Sequence, residues 1–296
     1  MGEFELIEKF FAQESGRDDV LLGIGDDAAL IDAGTSRSVA CALASVNGGG
    51  AGARQSDAGV LAHELVCTAF NHLASRGVSP AWFTLALCLP DPREDWLETF
   101  SRALFAAAAP CGAALIGGDT ARGPLAATLV AHGTLPVSTA AKPPAAGDAV
   151  YMTGKIGCRR PLQGAAAAAD ERISRLVPPR VDAGVTAAAH VSAAADIRRS
   201  LAATLSDLLE PFGLGARVDA SALPVAEASA ELARRPGGAK LLAETAADPE
   251  LCFIVTPERE PGFCRAMDVL STPCTRIGVV SRDTGVRIRD ARVSGT

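Results

Sequence analysis

Residues 138–147 read STAAKPPAAG, with two adjacent prolines, small residues and no apolar periodicity. That composition makes a linker, not a packed element. On each side of it, short strand-like apolar runs alternate with helix-like periodicity. This pattern predicts two α+β parts meeting near residue 140, with residues 1–137 and 138–296 as separate domains.

In the first part the strand candidates are 38–44, 83–89 (FTLALCL), 113–116 and 126–135. Val60, Leu61, Leu65, Val66 and Leu73 recur on one side of a helix expected over about 57–76. Trp96, Leu97, Phe100 and Leu104 predict a second helix over 94–109. Asp91-Pro92 would start it, since proline suits the first helical turn. Phe4, Ile7, Phe10 and Phe11 fit one face of an N-terminal helix. In the second part a strand runs from Asp148 to Gly154. A helix ends near Phe212–Gly213, and a strand follows at 214–219. Helical patterns recur at 225–235, 239–246 and 258–269, with strands near 251–256 and 275–281. Residues 47–55 (NGGGAGARQ) are too glycine-rich for a packed element. Residues 158–180 read as an alanine-rich connector, with a solvated charge run from Arg172 to Arg180.

Composition narrows the function. Of 296 residues 48% are hydrophobic, enough for a sizeable core, and the net charge of −6 gives no basic surplus to neutralise phosphates, so nucleic acid is not an expected partner. No apolar run reaches the roughly 18 residues of a membrane span, so no membrane association is expected. The start, MGEFELIEKFFAQ, lacks the basic n-region of a signal peptide. The eight cysteines form no CxxC pair, and most lie in apolar runs. They are expected as buried, reduced thiols of a cytoplasmic protein.

Residues 21–31, LLGIGDDAALI, set Asp26 and Asp27 side by side after a Gly-Ile-Gly turn. Paired acids there mean either a solvated turn or a metal site. Gly23-Ile24-Gly25 lacks the third glycine of a dinucleotide loop, and Gly154-Lys155 lacks the spacing of a Walker motif. His63, His132 and His190 show no metal-ligand spacing.

Five landmarks follow one another: GIGDDAALI at 23–31, LASRGVSP at 73–80, LIGGDTARGPL at 115–125, AKPPAAGDAVYMTGKIG at 141–157 and GLGARVDASALPV at 213–225. Their order and spacing resemble the thiamine-monophosphate kinase family. Its superfamily includes aminoimidazole ribonucleotide synthetase and selenophosphate synthetase. The resemblance implies a two-domain PurM-like α+β fold. The N-terminal domain would bind ATP and pair its sheet with that of a second copy in a homodimer. It also implies transfer of the γ-phosphoryl of ATP to thiamine monophosphate, assisted by several Mg²⁺ ions. Such chemistry is mainly positioning and charge neutralisation, which is why aspartates from separate loops should converge.

Carried over by motif, Asp26, Asp27, Asp119 and Asp196 would hold Mg²⁺, with Asp119 and Asp196 also catalytic. Gly117, Gly118, Asp119, Thr120 and Arg122 would face nucleotide phosphates. Asp248 and Glu250 would lie at the thiamine end of the pocket. Other positions depart from the family. Where its pattern expects three further carboxylates, this chain has Leu43, His72 and Arg199. An arginine offers a metal no lone pair and stays protonated. Arg198 and Arg199 could instead grip phosphate oxygens directly. The departures leave three readings: a kinase impaired by lost metal ligands, a non-catalytic phosphometabolite-binding dimer, or an enzyme diverted to another phosphorylated substrate.

Overall fold

A computed structural model describes residues 3–13, 16–24, 28–35, 37–47, 58–136, 142–158, 176–246 and 248–289. Asp26, Asp27, most of the glycine-rich 47–55 stretch and most of the 158–180 connector lie outside the described residues. The chain forms two compact units. One comprises Met1–Leu73, Val78–Ser138 and Ala167–Val181; the other comprises Ala74–Gly77, Thr139–Ala166 and Asp182–Thr296.

The first unit contains α1 (Glu3–Phe10), β1 (Val20–Leu22), β2 (Leu30–Ile31), β3 (Arg37–Asn47), α2 (Ala58–Ala74), β4 (Trp82–Leu89), α3 (Glu94–Ala108), β5 (Ala114–Arg122) and β6 (Ala126–Pro136). Four strands make a sheet in the order β3-β6-β4-β5. The pairings are antiparallel except β4 with β5, which are parallel and joined through α3 as a crossover requires. One face is core. Phe83, Leu85 and Leu87 of β4 and Ala127, Leu129 and Ala131 of β6 are all buried there. Phe70 of α2 meets Phe83 edge to face, with ring centroids 5.8 Å apart. Phe11, just after α1, meets Phe100 of α3 at 6.4 Å.

The other face of this sheet is largely open. Val39 and Leu43 of β3 are 51% and 52% exposed, and Cys41 between them is also exposed. Among the described residues the Trp82 end is covered, where Val20 and Ile31 of the paired β1 and β2 pack with Trp82, Ala114 and Ile116. The indole Nε1–H donates to Asp19 Oδ1 at 3.1 Å. Arg17 donates through Nε and Nη2 to the two Asp19 oxygens at 2.8 and 2.6 Å, and its guanidinium lies 5.7 Å from the indole ring. Arg17 and then Trp82 hold the Asp19 carboxyl below its ordinary range.

The second unit contains β7 (Ala149–Thr153), α4 (Val181–Ala187), β8 (Val191–Asp196), α5 (Leu201–Leu209), β9 (Gly215–Asp219), α6 (Ala230–Arg234), α7 (Gly238–Thr245), β10 (Leu251–Val255), α8 (Glu260–Met267), β11 (Cys274–Ser281) and β12 (Gly285–Arg289). Its six-stranded sheet has the order β12-β9-β11-β7-β10-β8, antiparallel except for β12 with β9. Helices cover both faces. Val150, Met152, Cys252 and Ile254 pack with Leu201, Leu205 and Leu209 of α5 and Leu242 of α7. On the opposite face Tyr151 and Phe253 meet Phe263 of α8, at centroid distances of 4.8 and 5.7 Å. With both faces covered, β10 reads LCFIV without polar alternation, and all five residues are buried.

The elements differ from expectation in instructive places. The strand expected at 113–116 continues to Arg122, so the Gly-Gly-Asp-Thr segment lies within β5. Pro92 precedes α3, which begins at Glu94 after an Arg93 N-cap. The long helix expected at 225–235 is a 3₁₀ turn followed by the five-residue α6. The thiols are not uniformly buried: Cys67 and Cys252 are, Cys41 is exposed, and the other five are intermediate.

The Arg17–Asp19–Trp82 contact gives a pH prediction. A folded-state pKa below the unfolded value stabilises the fold above the unfolded pKa of about 4, and that contribution is lost as pH falls through the folded value. Asp19→Asn is therefore expected to lower the urea midpoint at pH 7, with the difference from wild type shrinking below about pH 4.

Candidate functional site

Within β5, strand alternation sorts the Gly-Gly-Asp-Thr residues between the two sheet faces. Asp119 is paired with Ala86, Thr120 with Leu87 and Arg122 with Leu89. Leu87 and Leu89 are buried on the core side, whereas Ala86 and Asp119 are exposed. Asp119 thus stands on the open face, and Thr120 and Arg122 alternate to the other. Gly118 allows this strand to lie close to β4. A Cβ at that position would be 2.0 Å from the Leu85 carbonyl oxygen. At Gly117 the nearest atom to such a Cβ is Thr84 Cγ2, at 4.0 Å.

The open face carries two cross-strand rows through this region. One runs Ser45, Thr128, Ala86, Asp119, and the other runs Leu43, Val130, Thr84, Gly117. Ser45 Oγ and Thr128 Oγ1 are 2.8 Å apart and hydrogen bonded. Leu43 and Asp119 share this face but lie three strand spacings apart, about 14 Å. Residues 43 and 119 of one chain cannot ligate one Mg²⁺, whose ligand oxygens lie about 2.1 Å from it.

His72 is half-buried near the end of α2, beside the fully buried Asn71. Asn71 Oδ1 accepts from the Arg180 N–H at 2.7 Å, and Cys67 Sγ lies 3.5 Å from the Val177 carbonyl. The described end of the connector, expected to be solvated, is therefore docked on α2 through a polar stripe.

In the second unit Asp196 ends β8, paired with Leu251. Arg198 is exposed, and its N–H donates to the Asp196 carbonyl at 3.0 Å. Arg199 forms an exposed ion pair with Asp207 on α5. Ser200 caps α5 by accepting from the Ala203 N–H at 3.2 Å, which fixes where the segment turns into helix. Asp248 and Glu250 are 1% and 0% exposed. Asp248 Oδ2 accepts from the Gly157 N–H at 2.5 Å, and Glu250 Oε2 accepts from Thr153 Oγ1 at 2.6 Å.

Asp119 belongs to the first unit, while Asp196, Arg198, Arg199, Asp248 and Glu250 belong to the second. Among the described residues no three His, Cys, Asp or Glu side chains are grouped to hold a metal. Sequence reasoning missed the Ser45–Thr128 pair and the Thr153 partner of Glu250. Both are contacts between strands far apart in the chain, and neither has a local signal.

Comparison with known proteins places this geometry in a family. Residues 25–135 match the family described as AIR synthase related protein, N-terminal domain. The thiamine-monophosphate kinase of Salmonella typhimurium is 36% identical over 296 residues, covering 95% of this chain and 91% of the relative. The chain belongs to the thiamine-monophosphate kinase family. The Escherichia coli member is 37% identical over 299 residues, with the same coverage. A crystal structure of the Stenotrophomonas maltophilia kinase superposes with a TM-score of 0.84 at 32% identity, covering 97% of this chain and 96% of that one. AaThiL complexed with AMPPCP and TMP, 20% identical with a TM-score of 0.71, has the same fold over 98% of this chain and 94% of its own. The two-domain PurM-like α+β fold thus covers nearly the whole chain. Among the described residues no helix is long and apolar enough to cross a membrane.

The two glycines before Asp119 give a paired test. Gly118→Ala must push β5 away from Leu85, an overpacking expected to cost at least about 2 kcal/mol. Gly117→Ala meets no close atom and should stay within about 1 kcal/mol of wild type. Denaturant melts of the two variants read the difference directly.

Proposed function

We propose that this chain binds ATP and thiamine monophosphate as its family does and transfers the γ-phosphoryl group slowly, with an impaired metal complement. The observation that carries this reading is Arg199. It stands where the family resemblance expects a carboxylate, and its guanidinium is engaged by Asp207. Leu43, at a second such position, presents an apolar side chain on the open face beside the Asp119 row. Family membership supports the substrates, since a relative of the same fold was solved with AMPPCP and TMP.

In this reading Asp26, Asp27, Asp119 and Asp196 are the acids left to meet Mg²⁺. Gly117 and Gly118 bring the β5 backbone to the nucleotide phosphates. Arg198 meets phosphate oxygens, and Asp248 and Glu250 shape the thiamine end. Phosphoryl transfer depends mostly on positioning and on neutralising the charge of several phosphates. Loss of carboxylate ligands weakens Mg²⁺ binding, which removes positive charge from the transferring phosphoryl group and lowers kcat more than it weakens nucleotide binding. The same replacements favour a second reading, a non-catalytic dimer that binds a phosphorylated metabolite. Both readings place the protein in the cytoplasm.

The decisive experiment combines calorimetry with ATP and Mg²⁺ and an assay for thiamine diphosphate. Binding with turnover well below the usual enzyme range of about 1–10³ s⁻¹ is expected. Turnover within that range sinks the impaired-site reading. Nucleotide binding with no product favours the non-catalytic dimer, and no binding at millimolar ATP sinks both. Arg199→Asp combined with His72→Asp should raise Mg²⁺ affinity.

The open sheet face is proposed as the homodimer contact. β3 is an eleven-residue edge strand whose Val39, Cys41 and Leu43 would otherwise leave an apolar surface in water. Val39→Asp should convert a dimer to a monomer in size-exclusion chromatography with light scattering. A wild-type monomer at micromolar concentration would refute the contact.

A further inference from the structure

At one end of the second sheet three segments meet around one acid. β7 ends at Thr153, β8 ends at Asp196, and β10 begins immediately after Glu250. The Glu250 carboxylate is fully buried and accepts from Thr153 Oγ1 at 2.6 Å. The same hydroxyl oxygen accepts from the Leu251 N–H at 2.9 Å. The Glu250 carbonyl accepts from the Ile197 N–H at 2.8 Å, directly after Asp196. Two residues upstream, Asp248 takes the Gly157 N–H at 2.5 Å, while the Gly157 carbonyl accepts from Ser229 Oγ at 2.8 Å. The turn from Thr153 to Gly157 is thus held at both ends by buried carboxylates, with Lys155 exposed between them. Gly154 has φ +53°, and a Cβ there would lie 1.9 Å from Glu250 Oε1.

Burying two acids within three residues is costly, and apolar replacements of buried ionic groups are often neutral or stabilising. What an apolar side chain cannot supply is a directional bond fixing Thr153 relative to β10. We infer that Glu250 is a positioning residue. Its carboxylate fixes the Thr153–Gly157 turn and its carbonyl fixes the Asp196–Arg199 segment, so that Lys155 and Asp196 are presented at the same sheet end in one set relation. The functional part of this inference rests on the phosphotransferase reading, in which that end of the second unit receives the phosphorylated acceptor. A buried acid that served only stability would change the melting temperature and leave acceptor affinity alone.

The test compares wild type with Glu250→Gln, Glu250→Leu and Thr153→Val. Amide hydrogen exchange is followed by mass spectrometry in peptides spanning 151–158 and 195–201, with β9 and β11 peptides as reference. Loss of one buried hydrogen bond corresponds to about tenfold. In the Leu and Val variants both peptides are expected to exchange about tenfold faster or more while the reference peptides stay unchanged. KM for thiamine monophosphate should rise by a similar factor with kcat within threefold. The Gln variant keeps an acceptor for Thr153 and should restore both readouts. Unchanged exchange in the two segments overturns the inference, as does faster exchange with unchanged KM. If Glu250→Leu does not fold, Thr153→Val decides alone. If wild type makes no thiamine diphosphate, the kinase reading falls and the exchange data decide whether Glu250 is the brace.

Discussion

A carboxylate removed from water persists only where its oxygens are hydrogen bonded, because the uncompensated charge costs far more than one contact returns. In the second unit that requirement is met by Thr153, at the end of β7, while the backbone of Glu250 itself binds the residue after β8. The strand ends that bear Asp196 and Lys155 are therefore tied together by one side chain and its own peptide group. The glycine at 154 follows from the same cause, since any Cβ there would collide with the Glu250 carboxylate. The acid is fully buried, so its hydrogen bonds are obligatory.

The first unit follows a different logic. Its sheet buries one face under Phe70 of α2 and leaves most of the other exposed, where apolar Val39 and Leu43 lie near the polar row of Ser45, Thr128 and Asp119. The described open face thus has an apolar half, Val39 and Leu43, beside a polar half, Ser45, Thr128 and Asp119. Trp82 and the β1–β2 ribbon close one end of this face, and Asp19 and Arg17 hold them there.

Leucine, histidine and arginine occupy positions where the resemblance expects carboxylates, and each changes the site in its own way. Leu43 puts an apolar side chain on an exposed strand. His72 exchanges an acceptor with two oxygens for an imidazole. Arg199 reverses the sign of the charge and is drawn to Asp207 on the next helix.

By itself the sequence determined the two-domain fold class, the family and the strongly periodic elements. The apolar run of β4 and the Trp96, Leu97, Phe100 and Leu104 spacing of α3 could be read directly, because burial on one face imposes a period that local sequence must obey. The β8 strand, VSAAAD, and the short α4 helix were missed, since alanine-rich segments have too little hydrophobic contrast to declare a face. β12, GVRIR, was missed because its pattern is short and its arginines alternate outward. Only the tertiary structure decided that the Gly-Gly-Asp-Thr segment lies inside a strand, with Asp119 and Arg122 alternating to opposite faces. It alone paired Arg199 with Asp207 and Glu250 with Thr153. The residues of this last pair are 97 positions apart. A contact at that separation depends on the order of strands in the sheet, and no local pattern of residues encodes it.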